Sequence, residues 1–66
     1  MAKATKVPDD AKADMLEKAG TLFQRVTSQL YTAAQAAQDG DHENADKHLD
    51  HAMQHQEKAQ EILNKL

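Results

Sequence analysis

Apolar residues recur along two long segments of the chain at alternating spacings of three and four residues. This spacing is a heptad pattern, and it predicts helices that each carry one continuous apolar stripe. The predicted stripe of the first helix comprises Leu16, Ala19, Phe23, Val26, Leu30, Ala33 and Ala37. The predicted stripe of the second helix comprises Ala45, Leu49, Ala52, Gln56, Ala59, Leu63 and Leu66, in which Gln56 alone is polar.

Local signals place the ends of these helices. Pro8 suits a first helical turn, and Asp9 and Asp10 put negative charge near the positive end of the helix dipole. Gly40 suits a left-handed stop, and Asp41 suits the N-cap of a second helix. The sequence therefore predicts a flexible tail over 1–7 and a helical region over 8–66, with helices at about 8–38 and 42–65.

Folding one helix back on the other at Gly40 brings the two stripes together. Leu30 would then meet Ala52, and Phe23 would meet Ala59, so that a large side chain faces a small one. The alternative is one continuous coiled coil, which would have to bridge a glycine flanked by two aspartates. The predicted fold class is all-α, an antiparallel two-helix hairpin.

A chain of 66 residues is short for a stable core, and a domain of this size usually needs a staple. There is no cysteine, so no disulfide can form, and a partner, a metal or very good helix packing remain. We expect the hairpin to associate with itself into a helical bundle, as a four-helix homodimer, with a trimer or docking on another protein as alternatives. The apolar residues beside the predicted stripes are Met15, Leu22, Tyr31, Ala34, Met53 and Ile62, of which Leu22, Tyr31, Met53 and Ile62 are the predicted interface residues.

Charge and hydropathy narrow the classes of partner. The formal net charge is −3, and the eight Lys and Arg residues form no run, so nothing indicates nucleic-acid binding. No apolar stretch approaches the roughly 20 residues that cross a bilayer, and the first residues lack the apolar core of a signal peptide. These features predict a cytoplasmic protein with no membrane partner.

Three of the four histidines cluster within 46–59, as His48, His51 and His55. His51 and His55 are four residues apart, a spacing that can chelate zinc, with Asp50 or a second chain completing the set. Alternatively, these are solvated or rim histidines, or they form a pH-sensitive rim whose protonation weakens association below about pH 6. The Glu-x-x-His pairs of di-iron bundles do not occur here.

The sequence offers no catalytic constellation. It has no Gly-rich phosphate loop and no cysteine nucleophile, and a two-helix hairpin offers no concave pocket. We therefore predict a non-enzymatic protein without a cofactor, a self-associating protein-protein interaction or regulatory module. The alternative is a metal- or pH-responsive bundle that uses His48, His51 and His55.

Residues 36–52, AAQDGDHENADKHLDHA, resemble the helical hairpin of lactose/cellobiose-type phosphotransferase IIA proteins. The likeness lies in the Ala-rich helix end, the turn Gly40-Asp41, and Ala45-Asp46 at the start of the next helix, and it covers roughly 19–63. That family forms trimers of three-helix subunits and is phosphorylated on a histidine of the third helix. Because the pattern here predicts two helices, the resemblance implies a helical assembly scaffold, and the phosphohistidine role is not carried over to His51 or His55. A phosphotransferase IIA-like protein is a further alternative for the function.

Overall fold

The computed structural model describes residues 7–66, and these residues form two long helices that pack against each other. The first helix, α1, spans Asp9–Gln38, and the second, α2, spans His42–Asn64. The predicted all-α hairpin is confirmed, with helix ends within one residue of those expected. Nearly all of the predicted tail over 1–7 lies outside the described residues.

The turn between the helices forms as the sequence predicts. Gly40 adopts a left-handed φ of +82° and donates its N–H to the Ala37 carbonyl at 3.0 Å. The N–H of Asp41 reaches back to the Ala36 carbonyl at 2.8 Å, which completes a Schellman motif. The Asp41 carboxylate then caps α2 by accepting from the Asn44 N–H at 3.3 Å. Three residues thus end one helix and start the next.

The start of α1 differs slightly from the prediction. Pro8 is the N-cap residue, with φ −57° and ψ 151°, and does not lie in the first turn. Its carbonyl accepts the N–H of Lys12 at 2.7 Å. Asp9 and Asp10 occupy the first turn, where their charge favours the positive end of the helix dipole, as expected.

The residues that face the other helix form a set that we call the hairpin seam, and its members are buried or half-buried. In α1 the hairpin seam comprises Ala11, Met15, Ala19, Leu22, Val26, Gln29, Ala33 and Ala36. In α2 it comprises Ala45, His48, Ala52, His55, Ala59 and Ile62.

This seam is rotated by one position from the predicted one, and the predicted stripe was wrong in this respect. Leu16, Phe23, Leu30 and Leu49 were expected between the helices, but they are exposed on its flank. Gln56 is exposed too, and His48 and His55 take the inward positions on α2. Each helix has three apolar positions per heptad, but only two of the three can face the other helix. The sequence pattern alone does not show which two positions face inward.

The hairpin encloses very little. Among residues 7–66 the fully buried side chains are those of Ala19, Ala52 and Ala59, and no large side chain is fully buried. Along neither described helix is there a stretch long and apolar enough to cross a bilayer. Three alanines and the partial burial of Met15, Leu22, Val26 and Ile62 make a small core, so the isolated hairpin has a limited hydrophobic driving force for folding.

Candidate interaction surface

Six large apolar side chains are exposed on the hairpin, and they gather on one side of it. Five of them directly follow a residue of the hairpin seam, as Leu16 follows Met15 and Leu49 follows His48. In an antiparallel pair, this position flanks the seam on the same side in both helices. We call this side the apolar face; its exposed fractions are Leu16 48%, Phe23 37%, Leu30 46%, Tyr31 72%, Leu49 43% and Met53 57%.

The α1 half of the apolar face is a second heptad stripe, which we call the outer seam. Its residues recur at spacings of three and four, and large side chains alternate with small ones. Between its first and last residue the stripe holds no charged or amide side chain. The outer seam comprises Ala13, Leu16, Gly20, Phe23, Thr27, Leu30, Ala34 and Ala37.

The outer seam is concave where its small residues lie. Thr27, Leu30 and Ala34 line one shallow groove, and Tyr31 forms its rim. Gly20 is exposed, and a Cβ built on it would meet no atom within 4 Å. The large side chains of Phe23 and Leu30 therefore alternate along the seam with the small residues Gly20, Thr27 and Ala34, which is the relief that helix packing requires.

Thr27 and Gly20, the two residues of the outer seam without a purely apolar side chain, are both compatible with burial. The Thr27 hydroxyl donates to the Phe23 carbonyl at 3.2 Å, so that it needs no partner outside its own helix. Gly20 has no side chain to desolvate. Gly20 also costs α1 about 1 kcal/mol relative to alanine, and neither backbone conformation nor contacts within the hairpin account for that cost.

The α2 half of the apolar face is more polar. Leu49, Met53 and Leu63 lie on it together with Gln56 and Gln60. The groove beside Met53 is lined by Asp50, Gln54, Gln56, Glu57 and Gln60. The outer seam of α1 is consequently the more apolar half of the face.

The opposite flank of the hairpin seam is charged. By helical position Lys18 and Arg25 of α1 lie on this flank with Lys58 and Lys65 of α2. One groove there is lined by Lys18, Arg25 and Ile62 together with Asp14 and Glu17. Lys18 pairs with Asp14 at 4.0 Å, and both side chains are exposed. These four cations are far apart in the sequence, and folding collects them into what we call the basic side.

The predicted interface residues separate into two groups. Leu22 and Ile62 are half-buried members of the hairpin seam and already contact the other helix. Tyr31 and Met53 are exposed on the apolar face, where a second chain can reach them. Gly20 was not among the predicted residues, although a glycine in the middle of a long helix is itself a signal of a packing requirement.

The three clustered histidines occupy different environments. His48 and His55 are half-buried in the hairpin seam, and His51 is exposed. His48 Nδ1 lies 2.7 Å from Gln29 Oε1 on α1; the amide oxygen accepts, so Nδ1 donates. His55 Nδ1 is buried without a hydrogen-bond partner. The predicted pH response would therefore act on the hairpin seam itself, and it stays a prediction.

The histidine rings do not converge. The His48 and His51 ring centroids are 6.3 Å apart, and their planes are nearly perpendicular at 84°. Within 7–66 no three His, Asp or Glu side chains are arranged to hold one metal ion. The zinc hypothesis for His48, His51 and His55 would thus require ligands from a second chain.

No protein-family model, curated protein or solved structure matches this chain. The resemblance to phosphotransferase IIA hairpins stays a prediction.

Proposed function

We propose that this chain is a non-catalytic interaction module that works as a homodimer of helical hairpins. The observation that carries the proposal is the contrast between core and surface. Alanines alone are fully buried among the described residues, whereas six large apolar side chains are exposed on one face. A contiguous apolar face of this kind marks an interaction site on a protein surface.

The size of the face suits a second copy. The hairpin measures 53 by 17 Å along its two longer Cα axes, so the outline of one whole long side is about 900 Å², which is large enough to hold a standard interface of about 800 Å² per partner. Two copies can cover the same face reciprocally, because a two-fold interface uses one patch on both subunits. The product is a four-helix bundle whose core contains Leu16, Phe23 and Leu30 of each chain.

The basic side is an unfavourable alternative for self-association. An interface there would remove the charged side chains of Lys18, Arg25 and the neighbouring Asp14 and Glu17 from water, with few apolar contacts in return. When the apolar faces meet, the basic sides point outward. That arrangement leaves a charged surface free to bind another protein.

Charge variants on two sides of α1 test the proposal. Leu30→Asp places a carboxylate on the apolar face, and Ser28→Asp places one on an exposed position away from that face. Burying an unpaired carboxylate is costly, so Leu30→Asp should weaken dimerisation by a factor of about 100 or more. Light scattering coupled to gel filtration should show a monomer for Leu30→Asp and a dimer for Ser28→Asp.

Equal dimer stability in the two variants would exclude the apolar face as the interface. Circular dichroism on both variants reports whether the helices persist. A dimer lost only with Ser28→Asp would point to the other side of the hairpin.

A further inference from the structure

We propose that, in the homodimer on which this inference rests, α1 packs antiparallel against α1 of the second copy through the outer seam. The two-fold axis crosses the outer seam between Phe23 and Thr27. The turns at Gly40 then lie at opposite ends of the bundle, and α2 packs against its own copy.

The relief of the outer seam is self-complementary in this arrangement. Phe23 faces Thr27 of the second copy, Leu30 faces Gly20, and Leu16 faces Ala34. Each ridge enters a hollow, and the two-fold axis repeats all three pairs. The residue numbers in every pair add to the same value, so a single alignment of the two antiparallel helices forms all three pairs at once.

Gly20, in the middle of α1, supports the packing of α1 against α1 of the second copy. Within its own chain, the space that a side chain at Gly20 would fill is open. Opposite the Leu30 side chain of a second copy, the missing side chain becomes the hollow that lets the helices approach. The cost of about 1 kcal/mol that glycine imposes on helix stability is then offset by closer packing across the interface.

The hydroxyl of Thr27 also supports the α1–α1 arrangement. This hydroxyl is already bonded to the Phe23 carbonyl at 3.2 Å. Thr27 can therefore turn its methyl group toward Phe23 of the second copy without burying an unpaired donor.

The competing arrangement places α1 against α2 of the second copy. At the helix alignment set by the Gln29–His48 bond, Gly20 would then face Gln56, and Phe23 would face Met53. Leu30 would face Asp46, whose carboxylate would be removed from water against a leucine. The α1–α1 arrangement is favoured because it keeps the apolar stripes together and leaves Asp46 and Gln60 in the more polar α2–α2 contact.

Disulfide trapping distinguishes the two arrangements, because the natural chain has no cysteine. Gly20→Cys is mixed with Leu30→Cys in one sample and with Gln56→Cys in another, and mild oxidation follows. We expect a mixed disulfide at least tenfold faster in the first sample. A faster disulfide between Gly20→Cys and Gln56→Cys, or equal slow rates in a proven dimer, would overturn the α1–α1 arrangement. Failure of the natural chain to dimerise would instead overturn the proposed homodimer.

A bulky variant tests the hollow. Gly20→Leu should raise the dimer dissociation constant at least tenfold, with helical circular dichroism retained because the hairpin has space for the side chain. Ser28→Leu adds a similar side chain at an exposed position off the outer seam and should leave the constant within twofold. Unchanged or tighter association of Gly20→Leu would contradict a close approach at this residue.

Discussion

The side chains of Gln29 and His48 form a hydrogen bond that links α1 to α2, with 2.7 Å between Oε1 and Nδ1. Both residues are half-buried in the hairpin seam, between otherwise apolar positions. A bond of this kind stabilises one axial alignment of the helices over its neighbours, since a shift by one turn leaves both groups unpaired.

Removing one partner of this bond should destabilise the hairpin. Gln29→Ala leaves the half-buried Nδ1 of His48 unpaired and should lower the free energy of unfolding by about 1–2 kcal/mol. Urea unfolding followed by circular dichroism measures the loss. In the double variant Gln29→Leu/His48→Leu both polar groups are gone, and most of the stability should return. If the double variant were as unstable as the single one, the bond would not explain the effect.

His55, unlike His48, has no hydrogen-bond partner for its Nδ1. Its Nδ1 is buried without a partner in the hairpin seam. His55→Leu removes this unpaired group and should raise the free energy of unfolding by about 1 kcal/mol. His51→Leu is the control because His51 is exposed, and it should change the stability by less than about 0.5 kcal/mol. Destabilisation by His55→Leu would mean that the imidazole makes a favourable interaction in solution.

Gly40 is the residue whose backbone requires glycine. Its φ of +82° is strained for any L side chain, so Gly40→Ala should cost about 1–2 kcal/mol of stability. The control Gln38→Ala lies at the exposed end of α1 and should be nearly neutral. Thermal unfolding of both variants tests the difference. Equal melting temperatures would indicate that the turn relaxes to another conformation.

A dimer that stabilises the fold makes unfolding depend on concentration. The only fully buried residues described in the hairpin are alanines, so we expect the melting temperature to rise by several degrees over a hundredfold increase in protein concentration. Calorimetry or circular dichroism at several concentrations measures this dependence. The Leu30→Asp variant should melt lower and show no such dependence. A constant melting temperature for the natural chain would mean that the hairpin folds on its own.

The elements of the fold were predictable because their signals are local. The left-handed Gly40, the capping Asp41 and the helices predicted from the heptad spacing depend on signals that act over a few residues, and all three are confirmed. The all-α hairpin follows directly from them.

The choice of inward residues was not predictable from the same pattern. Ala19, Val26 and Ala33 belong to both alternative stripes, so periodicity leaves two solutions one position apart. Gln29 and His48 are polar, which argues against an inward position for either residue alone. Their mutual hydrogen bond removes that objection, but the pair is 19 positions apart in the sequence and becomes visible only after folding.

The same rotation exchanged the roles of the candidate surface residues. Leu22 and Ile62 were expected at an outer interface and lie in the hairpin seam, whereas Phe23 and Leu30 were expected inside and lie on the apolar face. The basic side was missed because its four cations come from both helices, and only the antiparallel alignment brings them to one flank.

Sedimentation equilibrium of the unmodified chain at neutral pH, over a range of concentrations and with a chelator present, tests the central claim most directly. We expect a single species at high concentration with twice the chain mass of 7.3 kDa, dissociating reversibly on dilution. A stable monomer of 7.3 kDa at every concentration would contradict the proposed homodimer, and so would a trimer.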